Sequence, residues 1–181
     1  VHKHIRRVKL FPEHVEPVES ALAAIREADV VILGPGSLYT SIMPNLLVSG
    51  VAEALKKSRA LKIYICNVMT QPGETDGYTA AMHAEAIIKH AGRGAIDFML
   101  VNSAPISDNL RETPLSHEKA RLLAKEGLHP VTIDEDAVNA LGIGVVKADL
   151  VNSDDFAHHD PGKLMKNVMK MAYKLHPGIG K

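Results

Sequence analysis

Val30 to Ser41 reads VVILGPGSLYTS, and this stretch decides the fold. Four aliphatic residues without a polar interruption read as a short strand covered on both faces, the pattern of a parallel sheet. The run empties into Gly34-Pro35-Gly36, and hydroxyl residues follow at Ser37, Tyr39, Thr40 and Ser41. Gly34 and Gly36 can take positive φ and expose backbone N–H groups with no Cβ in the way. A helix starting near Leu38 adds unpaired N–H groups and a dipole that favour an anion. Ser37, Thr40 and Ser41 add hydroxyl donors for a phosphate, pyrophosphate or carboxylate. A plain strand-to-helix turn with Ser37 as N-cap explains the same letters, and the stretch is neither a Walker loop nor the dinucleotide fingerprint.

Outward from this stretch, strand and helix patterns alternate. Ile5–Phe11 reads as a strand and Pro17–Glu27 as a helix with Val18, Leu22 and Ile25 on one face. After Val30–Leu33 come a helix over Leu46–Lys57, the strand Leu61–Cys66, a helix over Gly77–His90 and the strand Ile96–Val101. Leu115–Lys125 reads as a charged helix and Pro130–Ile133 as an edge strand. Asp134 caps a short helix to Leu141, stopped by Gly142. Ile143–Leu150 is a last strand, and Pro161–Tyr173 a terminal helix with Leu164, Val168 and Met171 inward. The tail HPGIGK reads as loose. Such alternation implies an α/β fold, a mainly parallel sheet covered by helices on both faces. Ligands of these folds bind beyond the carboxyl ends of the strands, so the loops that follow strands matter most.

Composition narrows the function. Lys+Arg and Asp+Glu both number 21, which argues against nucleic acid as partner and against a polybasic membrane anchor. No apolar run nears the ~20 residues that span a bilayer. The start, VHKHIRRVKL, is basic but has no apolar region behind it, and the single cysteine, Cys66, allows no internal disulfide. The expectation is a cytoplasmic chain with 1–181 as a single α/β domain. It begins with Val1 and is expected to start partway through a longer protein.

Two more strand-end loops stand out. CNVMTQPGETDGYT, Cys66–Thr79, carries Asn67, Thr70, Gln71, Gly73, Glu74, Thr75, Asp76 and Tyr78. Neutral amides and hydroxyls outnumber charges, which suits a base, sugar or phosphate ester better than a metal. NSAPISDN, Asn102–Asn109, places Asn102 and Ser103 toward the same crevice, or else caps a helix at Ser107 or Asp108. DDFAHHDP, Asp154–Pro161, lacks zinc-like spacing and reads as a solvated loop capping the last helix. Cys66 reads as a packed strand end, not a nucleophile. No metal site is expected.

The blocks ADVVILGPGSLYTSIMPNLLVSGVAEAL and KIYICNVMTQPGETDGYTAAMHAEAI resemble the CofD-like superfamily, in its YvcK-type branch, often labelled gluconeogenesis factor. The likeness is continuous from about Ile5 to Ile106 and thinner through VNALGIGVV and HHDPGKL. It implies a Rossmann-like three-layer fold that binds nucleotide derivatives, of which this chain is the C-terminal part; the family's upstream Gly-rich loop is not in the sequence. It also implies a tyrosine near Leu123, an arginine at His158, and an acidic or polar residue at Met82.

The leading expectation is a regulatory protein that binds UDP-sugars and is linked to cell shape, peptidoglycan synthesis and gluconeogenic growth. Gly34, Gly36 and Ser37 would cradle phosphate, while Asn67, Thr70 and Gln71 orient the ligand. Thr40, Gly73, Glu74 and Asn102 complete the candidate set, and no catalytic residue is assigned. The alternative is a CofD-type transferase that moves a phospholactyl group onto a deazaflavin with Mg²⁺, for which only Glu74 and Asp76 stand near the crevice. A third class is partner binding through an exposed strand edge, giving a homo-oligomer.

Overall fold

The computed structural model describes residues 5–104, 125, 127–152 and 158–176. Four strands form one sheet: β1 (Val30–Leu33), β2 (Leu61–Ile65), β3 (Phe98–Asn102) and β4 (Gly144–Ala148). They lie in chain order, and every neighbouring pair is parallel. Parallel pairing in this order needs a crossover between each pair of strands. The first runs through a π-helical turn at Leu38–Ile42, α2 (Met43–Leu46) and α3 (Val51–Lys57). The second uses α4 (Ala80–Ala91), and the third ends in α5 (Glu135–Ala140). Before the sheet stands α1 (Glu19–Glu27), and after it α6 (Pro161–Leu175).

The strand pleat sorts side chains to two cores. Tyr64, Cys66, Met99 and Val101 meet Leu46, Leu55, Ala84, Ile87 and Val138 from α2 to α5. Leu61, Ile63, Ile65 and Leu100 meet Val168 and Met171 of α6 on the other face. All five residues of β2 are buried, as a central strand with both faces covered requires. The layers are thus helix, sheet, helix, which is the α/β fold expected from the alternation.

Several boundaries differ from the sequence reading, each for a local reason. Ile5–Phe11 joins no ladder among the described residues; Ile5 and Val8 lean on the helical core instead. The helix expected over Leu46–Lys57 is broken before Val51, where Gly50 takes φ +79°. The first helix starts at Glu19, and Val18 is 70% exposed instead of facing inward. Pro130–Ile133 contributes only isolated bridges, Pro130 to Met69 and Thr132 to Thr79. Asp134 precedes α5 without capping it; its Oδ1 accepts from the Ala81 N–H at 2.8 Å and serves the first turn of α4 instead. Asp160 does cap α6, accepting from the Lys163 N–H at 2.8 Å. The helix expected over Leu115–Lys125, with Leu123, lies outside the described residues except Lys125, as do Ser107, Asp108 and the tail beyond His176.

Candidate functional site

Two of the three strand-end loops meet. Beyond β1 the chain turns at Gly34, which takes φ +98°, and enters the π-helical turn after Ser37. Beyond β2 it runs through Asn67–Gln71. These segments, with Leu128, His158 and His159, enclose a cleft of about 390 Å³. Gln71 Nε2 donates to Ser37 Oγ at 2.8 Å, and Asn67 Nδ2 donates to Gln71 Oε1 at 3.3 Å. The relay leaves the Ser37 hydroxyl proton free to point elsewhere. It also leaves Asn67 Oδ1 buried with no partner among the described residues. A buried acceptor in that state costs about 1–3 kcal/mol, which a donor from a ligand or water offsets.

The amides of the first turn stand open. Ser37 O accepts from the N–H groups of Ser41 and Ile42, at 2.9 and 3.0 Å, which closes the π-helical turn. Among the described residues no hydrogen bond engages the N–H groups of Gly36, Ser37 or Leu38. Single π turns of this kind recur at functional positions. Gly36 is tightly placed: a Cβ there meets Ser41 Cβ at 3.0 Å. The second turn is held by its own bonds. The Gln71 N–H donates to Thr75 Oγ1 at 2.9 Å, and Thr75 is fully buried. The Thr70 N–H and Oγ1 both bond the backbone of His129, at 2.7 and 3.0 Å, so Thr70 lines the cleft but is already engaged.

The remaining expected residues are placed elsewhere. Thr40 donates to Glu74 Oε1 at 3.1 Å, which ties the two loops together outside the cleft. Glu74 Oε2 is buried with no partner among the described residues. Gly73, at φ +80°, donates its N–H to Asp76 Oδ2 at 2.7 Å and is exposed. Asn102 closes the end of β3: its Oδ1 accepts from Ala104 and Leu150, and its Nδ2 donates to Ala104 O. It is not among the residues that line the cleft. Met82, where the resemblance implied a polar residue, packs half-buried on the helical core.

Sequence reasoning missed the third wall. His159 Nε2 donates to the Cys66 carbonyl at 3.1 Å, so its proton sits on Nε2. Burial chiefly, and His158 beside it, lower its pKa, while the Cys66 bond opposes them. His158, at the position where the resemblance implies arginine, is exposed on the same cleft. The segment follows β4, so the strand-end rule that picked out the earlier loops applies to it as well. Outside the cleft, Tyr39 and Tyr78 share a hydrogen bond at 2.7 Å, and burial first of all, then Tyr78, raises the pKa of Tyr39.

Fold and cleft together define a parallel α/β protein whose strand-end loops frame a neutral cleft rich in amides. The sequence profile of the family described as 2-phospho-L-lactate transferase CofD matches residues 1–151, and the chain belongs to that family. It is 48% identical over 169 residues to the gluconeogenesis factor of Halalkalibacterium halodurans, covering 93% of this chain and 50% of that protein. The corresponding figures for the gluconeogenesis factor of Bacillus subtilis are 45% over 163 residues, 90% and 49%. A crystal structure from Bacillus halodurans superposes with a TM-score of 0.82 at 48% identity, over 93% of this chain and 51% of that one. The chain thus spans about half the length of the relatives it matches.

Proposed function

We propose that this chain, as one α/β unit, supplies the phosphate-facing wall of a nucleotide-sugar site in a regulatory, cytoplasmic protein of the gluconeogenesis-factor type. UDP-sugars are the favoured ligands. The observation that carries the reading is the meeting of the two turns, with Gln71 Nε2 on Ser37 Oγ at 2.8 Å beside the unengaged N–H groups of Gly36, Ser37 and Leu38. In this reading a diphosphate accepts from those amides and from the Ser37 hydroxyl. Asn67 Oδ1 takes a donor from the sugar or base. Among the described residues that line the cleft, none but the histidines is ionisable, and the backbone dipoles there favour an anion. The links to cell shape, peptidoglycan synthesis and gluconeogenic growth rest on the resemblance and on the relatives' name.

Transfer of a phospholactyl group onto a deazaflavin is the second reading, supported by the family's description. The geometry favours it less. Glu74 is bonded by Thr40, and Asp76 holds the Gly73 N–H, so neither carboxylate lines the cleft. Calorimetry with UDP-N-acetylglucosamine tests the first reading: Ser37→Ala and Asn67→Ala each weaken binding by roughly tenfold or more. Equal affinity in both variants, or no binding by the unaltered chain, overturns it. Product from deazaflavin and a nucleotide-activated phospholactate moves the assignment to the transferase.

A further inference from the structure

A second feature of the sequence is left unused by the cleft: the basic run at the start. Arg6, Arg7 and Lys9 lie along the carboxyl end of α4, where Lys89 and His90 stand in its last turn. The groove between them, about 710 Å³, is the larger of the two concavities described. Lys89 Nζ donates to the Arg6 carbonyl at 2.9 Å and holds the segment in place. Among the described residues Glu13 is the one carboxylate lining the groove, and Lys9 Nζ already engages it at 3.0 Å. Arg6 and Arg7 have no acidic partner among the described residues. His90 donates Nδ1–H to Ala86 O at 2.8 Å, and its Nε2 is buried with no partner among the described residues. Val8, Leu10 and Leu47 give the groove an apolar side.

We propose that this groove is a binding site for a small ligand carrying a phosphate or pyrophosphate group. A cation at a helix's carboxyl end complements its dipole, which accounts for Lys89. It does not account for three more cations brought there by a separate segment. The chain as a whole is charge-balanced, so their convergence is local. The size falls in the range of small-molecule pockets, about 300–1,000 Å³, which favours a discrete ligand over a polymer. The groove is separate from the strand-end cleft. Among the described residues none lines both of them.

The test is titration of the isotope-labelled chain with inorganic pyrophosphate, followed by NMR. The backbone amides of Arg7 and Lys89 and the His90 ring shift together and saturate, with a Kd near or below about 1 mM. Arg7→Gln, at an exposed side chain with no bond to the described residues, weakens this by roughly tenfold, and Arg6→Gln with Lys89→Gln weakens it further. Ser37→Ala leaves it unchanged, which separates this site from the strand-end cleft. Absence of saturation at these residues, or equal affinity in Arg7→Gln, overturns the proposal. So does exclusive binding of a single-stranded oligonucleotide or of phosphatidylglycerol vesicles at the same residues.

Discussion

Gly34 takes φ +98°, a region that side chains with a Cβ rarely enter, and it does so at the point where β1 must turn into the cleft. Gly34→Ala is therefore expected to destabilise the chain by about 1–2 kcal/mol in urea unfolding, with the larger effect on the turn that carries Ser37. Gly36 is constrained differently, by the 3.0 Å approach of an added Cβ to Ser41 and not by a left-handed backbone. Cys66 illustrates the opposite case, a reactive residue made inert. Burial foremost pushes its thiol up to about 12, so the thiolate is scarce at ordinary pH. Iodoacetamide at pH 8 is expected to leave Cys66 unmodified in the folded chain and to modify it fully once urea unfolds it. Rapid labelling of the folded chain contradicts the buried strand end described here.

At the scale of elements, α6 covers one face of the sheet through Val168 and Met171, while Met165, Met169 and Tyr173 face outward. Met171→Ala opens a cavity against β2 and β3 and is expected to cost about 2–4 kcal/mol, against little for Met165→Ala; chemical unfolding of the two variants checks the difference. The inward stripe Leu164, Val168 and Met171 was legible because helical periodicity repeats along an uninterrupted segment. Val30–Leu33 was legible because an unbroken apolar run needs both faces covered, and Leu61–Cys66 and Ile96–Val101 because each is apolar but for one charge, Lys62 and Asp97, which pair with each other at 3.1 Å. Ile5–Phe11 has strand-like letters too, but a strand also needs a partner, and partnership is not written in a segment. The break before Val51 was hidden because apolar spacing continues across it. In the cleft, Ser37, Asn67 and Gln71 could be read from their position after strands. The bond between Ser37 and Gln71 could not, since it depends on side-chain reach across 34 positions. His159 was overlooked for a related reason: its neighbours read as a cap for α6, and its contact with Cys66 spans 93 positions. Asp134 shows the limit most plainly, a capping residue beside one helix that serves another.

For the whole molecule, the buried histidines set how stability depends on pH. His83 is fully buried, bonded to the Tyr64 hydroxyl at 3.0 Å, and burial lowers its pKa to about 4 from an ordinary 6.5. Between those values the unfolded chain binds a proton that the folded chain does not. The contribution is therefore complete above pH 6.5 and is lost as pH falls toward about 4, on the order of 3 kcal/mol in total. His159, also lowered, acts in the same direction. Urea unfolding at pH 7.5 and 4.5 measures the loss, and His83→Gln, which keeps a polar partner for Tyr64, is expected to flatten much of it. The same molecule brings the β1 and β2 loops to one end of the sheet, and the account of its function depends on the amides there being able to hold an anion. The most direct measurement is an NMR titration of the labelled chain with UDP-N-acetylglucosamine, which registers even weak binding. The account predicts saturable downfield shifts of the Gly36, Ser37 and Leu38 amides together with the Asn67 and Gln71 side chains; amides there that stay fixed, while the ligand shifts residues elsewhere or none, contradict it.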